Sequence, residues 1–225
     1  MDLEKIISSD ILDMIPHDSG FLYAEKSPMD DGNIRVSFFS YEQEKNDVYP
    51  VTTKTYLRHK FGPEFKTIAE TLGDFISCDA AILANNGVIT LYDTGEMHIF
   101  TAGGTVAWQG TLTYQDEPVK DLAVDGRTVW CAVPDRNAII CYSPNEGRVL
   151  LRIGGGSVSA FSYPVSVSKY DDVLYICNKN SYKVRTIKLE DYSVRDYLVF
   201  KEPVTDYFRV LDVEYAALES GVYRI

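Results

Sequence analysis

Pro118-Val119-Lys120-Asp121-Leu122-Ala123-Val124-Asp125-Gly126, followed by Thr128 to Val133, decides the fold of this 225-residue chain. A proline opens a short apolar strand, an Asp-Gly pair turns it, and a second strand carries an aromatic residue, Trp130. The same opening recurs as Pro164-Val165-Ser166-Val167, with Tyr175 on the second strand, and as Pro203-Val204-Thr205-Asp206, with Tyr215. The three prolines lie 46 and 39 residues apart (164 − 118 and 203 − 164). A period of about 40–50 residues made only of short strands is the pattern of β-propeller blades.

Alternation and turn chemistry divide each repeat into four strands. From Pro118 these are Leu122 to Val124, Thr128 to Val133, Ala138 to Tyr142 and Arg148 to Ile153. Asp125-Gly126 is placed at the centre of a type I′ hairpin, whose two central residues both need positive φ. From Pro164 the strands are Pro164 to Tyr170, Val173 to Cys177, Tyr182 to Leu189 and Val194 to Phe200. Upstream, Phe75 to Cys78, Ala80 to Ala84, Val88 to Tyr92, Met97 to Thr101 and Val106 to Leu112 form a unit without a leading proline. The first unit runs from Ile11 through Phe21-Leu22-Tyr23-Ala24 and Ile34 to Tyr41 to Val48 to Leu57, and Glu64 to Leu72 is a strand or a short helix.

The last unit has room for three strands before Ile225, which would leave a raw edge. Leu3-Glu4-Lys5-Ile6-Ile7 is an apolar strand with no partner in its own unit, and pairing it with residues 221–225 closes the ring. The expected fold is therefore all-β: one domain, 1–225, a five-bladed β-propeller of four-stranded antiparallel blades. The blades fall at about 10–60, 61–113, 114–160, 161–201, and 202–225 plus 2–8.

The two clearest units resemble NHL-type propeller repeats. That pattern runs from a proline through a Gly-Ile-Ala-Val-Asp-like strand, an Asp-Gly turn, an aromatic-Val-Ala-Asp strand and an Asn-x-Arg-Ile-like strand. Here Pro118 to Gly126, Trp130-Cys131-Ala132 and Asn137-Ala138-Ile139 match it, and Pro164, Tyr175-Ile176-Cys177-Asn178 and Tyr182-Lys183-Val184 match it more loosely. The resemblance covers 118–200, extends partly over 203–225, and hardly touches the first half. It implies blade geometry and no particular function, because such repeats serve many. One departure stands out: where the family usually has a small residue, this chain has Asp121 and Asp206.

Composition narrows the functional classes. Hydrophobic residues make up 45% of the chain, ordinary for a soluble globular protein, and 16 Tyr and 10 Phe suit strands. The net charge is −11, with −7 in residues 1–50 (11 Asp and Glu, 4 Lys and Arg) and +3 in residues 51–66. Such an acidic chain repels phosphate backbones, so no nucleic-acid partner is expected. No stretch approaches the 18–20 apolar residues of a membrane span, and Met1-Asp2-Leu3-Glu4-Lys5 does not open a secretory signal. No membrane association and a cytoplasmic location are expected.

Cys78, Cys131, Cys141 and Cys177 have neither CxxC spacing nor paired histidines. Cys131, Cys177 and Ala216 each follow their proline by 13 residues, which reads as one small-residue packing position. His17, His59 and His98 fall in different units without a triad or metal pattern. Gly154-Gly155-Gly156-Ser157 lacks the lysine of a phosphate loop and reads as an inter-blade connection. Asn178, Asn180 and Asp135 are turn residues, and Tyr23, Tyr92, Trp108, Trp130, Tyr175 and Tyr215 are inter-blade packing with one or two free to edge a channel mouth.

The innermost strands carry the chemistry: Ile11-Leu12-Asp13-Met14, Ile76-Ser77-Cys78-Asp79, Val119-Lys120-Asp121-Leu122 and Val204-Thr205-Asp206-Tyr207, with Val167 in the remaining unit. Asp13, Asp79, Asp121 and Asp206 could converge on the axis and bind a polar ligand or Ca²⁺. Asp121 and Asp206 could instead act as a general acid and base on a glycan or lactone. Equally, each could accept backbone N–H bonds from a neighbouring blade. Without a nucleophile, histidine cluster or cofactor loop, the leading reading is a non-catalytic binding scaffold for a protein or small polar ligand, needing no cofactor. The alternative is a carboxylate hydrolase, with or without Ca²⁺. A lectin-like module is less favoured, since repeated sugar pockets would make the blades more alike.

Overall fold

The computed structural model describes residues 3–26, 34–42, 49–50, 78–92, 94–210 and 212–225. The strands are β1 (Glu4–Ile7), β2 (Ile11–His17), β3 (Gly20–Lys26), β4 (Ile34–Ser40), β5 (Tyr49–Pro50), β6 (Cys78–Ile82), β7 (Val88–Tyr92), β8 (Glu96–Phe100) and β9 (Val106–Thr111). They continue as β10 (Thr113–Tyr114), β11 (Glu117–Pro118), β12 (Asp121–Asp125), β13 (Thr128–Val133), β14 (Ala138–Ser143), β15 (Arg148–Gly154), β16 (Pro164–Tyr170) and β17 (Val173–Asn178). The last are β18 (Lys183–Lys188), β19 (Val194–Val199), β20 (Val204–Val210), β21 (Val213–Leu218) and β22 (Gly221–Arg224). Among the described residues these form five four-stranded sheets, β2 to β5, β6 to β9, β12 to β15, β16 to β19, and β20-β21-β22-β1, plus the ribbon β10-β11. The protein is an all-β, five-bladed β-propeller of small antiparallel blades.

The blade completed by β1 is the one expected. β1 runs antiparallel to β22 with Glu4 opposite Arg224, Lys5 opposite Tyr223 and Ile7 opposite Val222, and the Glu4 carboxylate pairs with the Arg224 guanidinium. Of the predicted strands Phe75 to Cys78 and Ala80 to Ala84, residues 75–77 lie outside the described residues, and β6 runs through Cys78 to Ile82, pairing without interruption against Tyr92 to Val88. Most of Val48 to Leu57, all of Glu64 to Leu72, and His59 lie outside the described residues. No helix among the described residues is long and apolar enough to cross a membrane.

The chain divides into two compact units, Met1–Ser77 with Phe208–Ile225, and Cys78–Tyr207. In the first, β1, β2, β3, β21 and β22 bury Ile7, Met14, Phe21, Tyr23, Tyr215 and Val222 in one cluster. In the second, one cluster joins the β6–β9 and β12–β15 blades through Leu91, Met97, Leu122, Val129 and Cys131. Another joins the β12–β15 and β16–β19 blades through Trp130, Ala132, Phe161, Leu174 and Ile176. Alternate residues of β13 thus face opposite neighbours, as the period of two requires.

Tyr23 makes the first core sensitive to alkali. The ring is buried, and burial first, then the Glu25 carboxylate, push the phenol from 10.0 up to about 12. The unfolded phenol ionises at the lower pH, so this contribution is complete below about pH 10 and is lost as pH rises towards 12. Two pKa units correspond to about 2–3 kcal/mol. Burial moves Tyr41 and Tyr215 in the same direction. Denaturant titrations should show stability falling between pH 10 and 12, and Tyr23→Phe should flatten that fall; an unchanged slope would count against the assignment.

Two sequence expectations need correction. Asp125 pairs with Thr128, so the hairpin tip is Gly126-Arg127. Gly126 holds φ +60 and Arg127 is not among the positive-φ residues, which is the pattern of a II′ turn with glycine first rather than I′.

The second correction concerns proline offsets. The β16–β17 register shifts between Pro164 and Ser166, so Ser166 sits opposite Cys177, whereas Asp121 sits opposite Ala132. Ser166, not Val167, therefore takes the place of Asp121 in its blade. Likewise Ile176 takes the place of Cys131, since each packs towards the preceding blade. A slip of one residue reverses the face a side chain occupies. Cys131 and Cys177 are both fully buried, yet they serve opposite faces.

Candidate functional site

The first strand of each blade places the predicted carboxylates. In the ladders, Asp13 stands opposite Ala24, Asp79 opposite Leu91 and Asp121 opposite Ala132. Asp13 belongs to the first unit, and the side chain of Asp79 lies outside the described residues. The structure brings Asp121 and Asp206 to the same strand, β16. Asp121 Oδ2 accepts the Val167 N–H at 2.6 Å. Asp206 Oδ1 accepts the Ser166 hydroxyl at 3.0 Å and its neighbour's Tyr207 N–H at 2.7 Å.

Cys177 completes this group. Burial first, then the charges of Asp206 and Asp121, push its thiol well above the ordinary range, and a bond with Ser166 only partly opposes them. The thiol thus stays protonated at neutral pH, which makes it a packing residue and a poor nucleophile. Cys131 and Cys141 are likewise buried, and neither forms a disulfide. Among the described residues, no three His, Cys, Asp or Glu side chains gather as metal ligands.

The remaining sequence candidates are structural in their contacts. His17 Nδ1 accepts the Ser19 N–H at 3.3 Å, and buried His98 lies 3.5 Å from Glu96 and stacks on Phe100. In the glycine run, Gly154 and Gly155 hold φ +82 and +73. Ser159 pins that connection by donating to the Asn137 carbonyl at 2.6 Å and accepting the Gly155 N–H at 3.2 Å. Asn178 Oδ1 accepts the Ser162 N–H at 3.0 Å. Asn137, which the sequence marks only as part of the repeat pattern, accepts the Tyr163 N–H at 2.7 Å and bridges two blades. Its backbone is left-handed, φ +50, a region Asn tolerates, so an Asn in a predicted turn was the signal the sequence offered.

A cavity missed by the sequence opens at the other end of β12 from Asp121. It measures about 230 Å³ and is lined by Leu83, Ala84, Asn85, Arg127, Pro144 and Asn145. Three of these side chains can donate hydrogen bonds. The sequence centres the hairpin on Asp125-Gly126, whereas Arg127 sits at its tip beside Gly126.

No family model and no curated protein matches the chain. Among solved structures it is similar to the WD40 β-propeller domain of Doa1, at 12% identity over 94% of this chain and 61% of that one, TM-score 0.55. It is similar to Saccharomyces cerevisiae Sqt1 at 12% identity over 95% and 71%, TM-score 0.54. It is also similar to a catalytically inactive virginiamycin B lyase from Staphylococcus aureus solved with quinupristin, at 9% identity over 96% and 65%, TM-score 0.53. The chain thus spans between 61% and 71% of the length of these proteins. At such identities the likeness shows a shared β-propeller fold and no more.

Proposed function

We propose that the protein is a non-catalytic binding propeller built from NHL-type repeats, presenting blade-connecting turns to a protein or a small polar ligand in the cytoplasm. β-Propellers are commonly binding scaffolds, and function resides in sites grafted on the fold. One observation carries the choice over hydrolysis: the two best-placed carboxylates are occupied in holding β16, Asp121 by the Val167 N–H and Asp206 by the Ser166 hydroxyl and Tyr207 N–H. A carboxylate engaged in this way is positioned as a structural acceptor for the strand it holds. The net charge of −11 favours partners that are not nucleic acids.

Two measurements test this. Asp121→Ala leaves the Val167 N–H without its acceptor and should cost about 1–3 kcal/mol of folding stability, while Asp121→Asn retains an acceptor and should cost less. Chromogenic glycosides and lactones should show no turnover that the Asp121→Asn/Asp206→Asn double variant abolishes. Turnover present in the natural chain and absent from a folded double variant would establish the hydrolase instead.

A further inference from the structure

The 230 Å³ cavity is assembled from three tight turns within the Cys78–Tyr207 unit. They are Asn85-Asn86-Gly87 between β6 and β7, Gly126-Arg127 between β12 and β13, and the Pro144 to Gly147 turn between β14 and β15. Each contains one left-handed residue, Asn86 at φ +60, Gly126 at +60 and Gly147 at +64. The Ala84 N–H donates to the Gly126 carbonyl at 3.3 Å, tying the first two turns together. Ser143 holds the third: its carbonyl accepts the Gly147 N–H at 2.9 Å and its hydroxyl accepts the Glu146 N–H at 3.2 Å. The walls are thus short hairpin tips, two of them bonded to each other and the third held by its own Ser143, which favours a geometry set before any ligand arrives.

Three polar side chains line this space, Asn85, Arg127 and Asn145, and each carries hydrogen-bond donors. Asn85 Oδ1 accepts the Gly87 N–H at 3.0 Å, which leaves the NH₂ of its amide for another partner. Arg127 and Asn145 make no side-chain hydrogen bond or ion pair among the described residues. The adjacent carboxylates are already paired, Asp125 with Lys169 at 3.4 Å and Glu146 with Arg148 at 2.6 Å. In a chain of net charge −11, the cavity therefore presents one uncompensated guanidinium above an apolar floor of Leu83, Ala84 and Pro144.

We infer that this cavity is a binding site for a compact monocarboxylate, the guanidinium of Arg127 taking the carboxylate and the Asn85 and Asn145 amides flanking it. Guanidinium and carboxylate match as a planar bidentate pair. The volume lies below the roughly 300–1,000 Å³ of drug-sized sites, which excludes an oligosaccharide and suits a group the size of an acylated amino acid. A phosphate dianion would need a second cation and would meet the acidic field of the chain. The carboxylate can be a free small acid or the end of a peptide. This inference rests on the binding reading above and gives it a ligand class.

The test is an amide-resolved NMR titration of the intact chain with N-acetylglycine, with a trialanine peptide bearing a free C-terminus, with the C-terminal amide of that peptide, and with inorganic phosphate. Amides of Ala84, Asn86, Gly126, Asn145 and Gly147 should shift together and saturate in the millimolar range with N-acetylglycine. Arg127→Ala, a change at an exposed turn, should weaken this at least tenfold with the rest of the spectrum unmoved, and Arg127→Lys should recover part of it. A free-acid peptide at least tenfold tighter than N-acetylglycine, with a silent amide form, assigns the source as a peptide end; equal affinities assign a free acid. Absence of a saturable shift, an unaffected Arg127→Ala variant, or tighter binding of phosphate each overturns the inference. Such failure leaves the scaffold reading standing, whereas turnover lost in Asp121→Asn/Asp206→Asn removes that reading without moving these amides.

Discussion

Phe21→Ala is expected to remove about 3–5 kcal/mol of folding stability, a large part of the total for a natural domain. The ring is fully buried and is the hub of the aromatic cluster in the first unit. It stacks on Phe39 at 5.0 Å and meets Tyr215 at 5.3 Å and Phe208 at 5.4 Å. Further contacts reach Tyr23 and Tyr41 at 6.1 and 6.3 Å. Truncation removes the transfer energy of the ring and leaves a cavity, because five stiff aromatic neighbours cannot collapse together into the space. Each lost aromatic pair adds about 0.5–1.5 kcal/mol beyond burial. Guanidinium unfolding should show a lowered midpoint, with Phe21→Leu losing much less. A loss under about 1.5 kcal/mol for the alanine variant would mean that this cluster does not hold its unit together.

Gly221→Ala should detach the N-terminal strand. Gly221 holds φ +139, and a Cβ added there would lie 1.9 Å from the Ile7 carbonyl oxygen. Backbone is the obstacle, so no side-chain rotation relieves it, and β1 must move away from β22. Detachment exposes Ile6 and Ile7, both buried, at about 1.5–3 kcal/mol each. It also uncovers the edge of β22, an invitation to pair with another chain. Hydrogen exchange should accelerate at Lys5 to Ile7 and Val222 to Arg224, accompanied by concentration-dependent association. Gly126→Ala provides the control: its φ is +60 but nothing lies within 4 Å, so only backbone strain of about 1–2 kcal/mol applies. Equal losses for the two variants would show that the close approach to Ile7 is unimportant.

Much of this architecture was legible because strand alternation and turn residues are local signals. The β12–β15 and β16–β19 blades, the three C-terminal strands and the role of β1 all followed from them. Equal sequence offsets failed where a register shift intervened: one irregularity between Pro164 and Ser166 sufficed to make Cys131 and Cys177 face opposite sides. Asp121 and Asp206 were recognisable as departures from the repeat. Their partners were not, because Val167 and Ser166 reach them across 46 and 40 residues of sequence. Arg127 was invisible for a different reason. An isolated arginine beside an Asp-Gly pair carries no pattern, and its significance comes from Asn85 and Asn145 on turns that only folding brings near.

The pairing of β1 with β22 also sets a schedule for biosynthesis. Glu4 meets Arg224 across 220 residues (224 − 4). At about 5–20 residues per second, the partner strand is made roughly 10–45 s after β1 leaves the ribosome, and every other blade strand is available to pair sooner. During that interval Ile6 and Ile7 are exposed on a strand that has nothing to bind. A circular permutant opened at Gly156-Ser157, between two complete blades, with a short linker from Ile225 to Leu3, would turn this most distant pairing into a hairpin between consecutive strands and split no other strand pair. It should refold faster than the natural chain without gaining a single native contact.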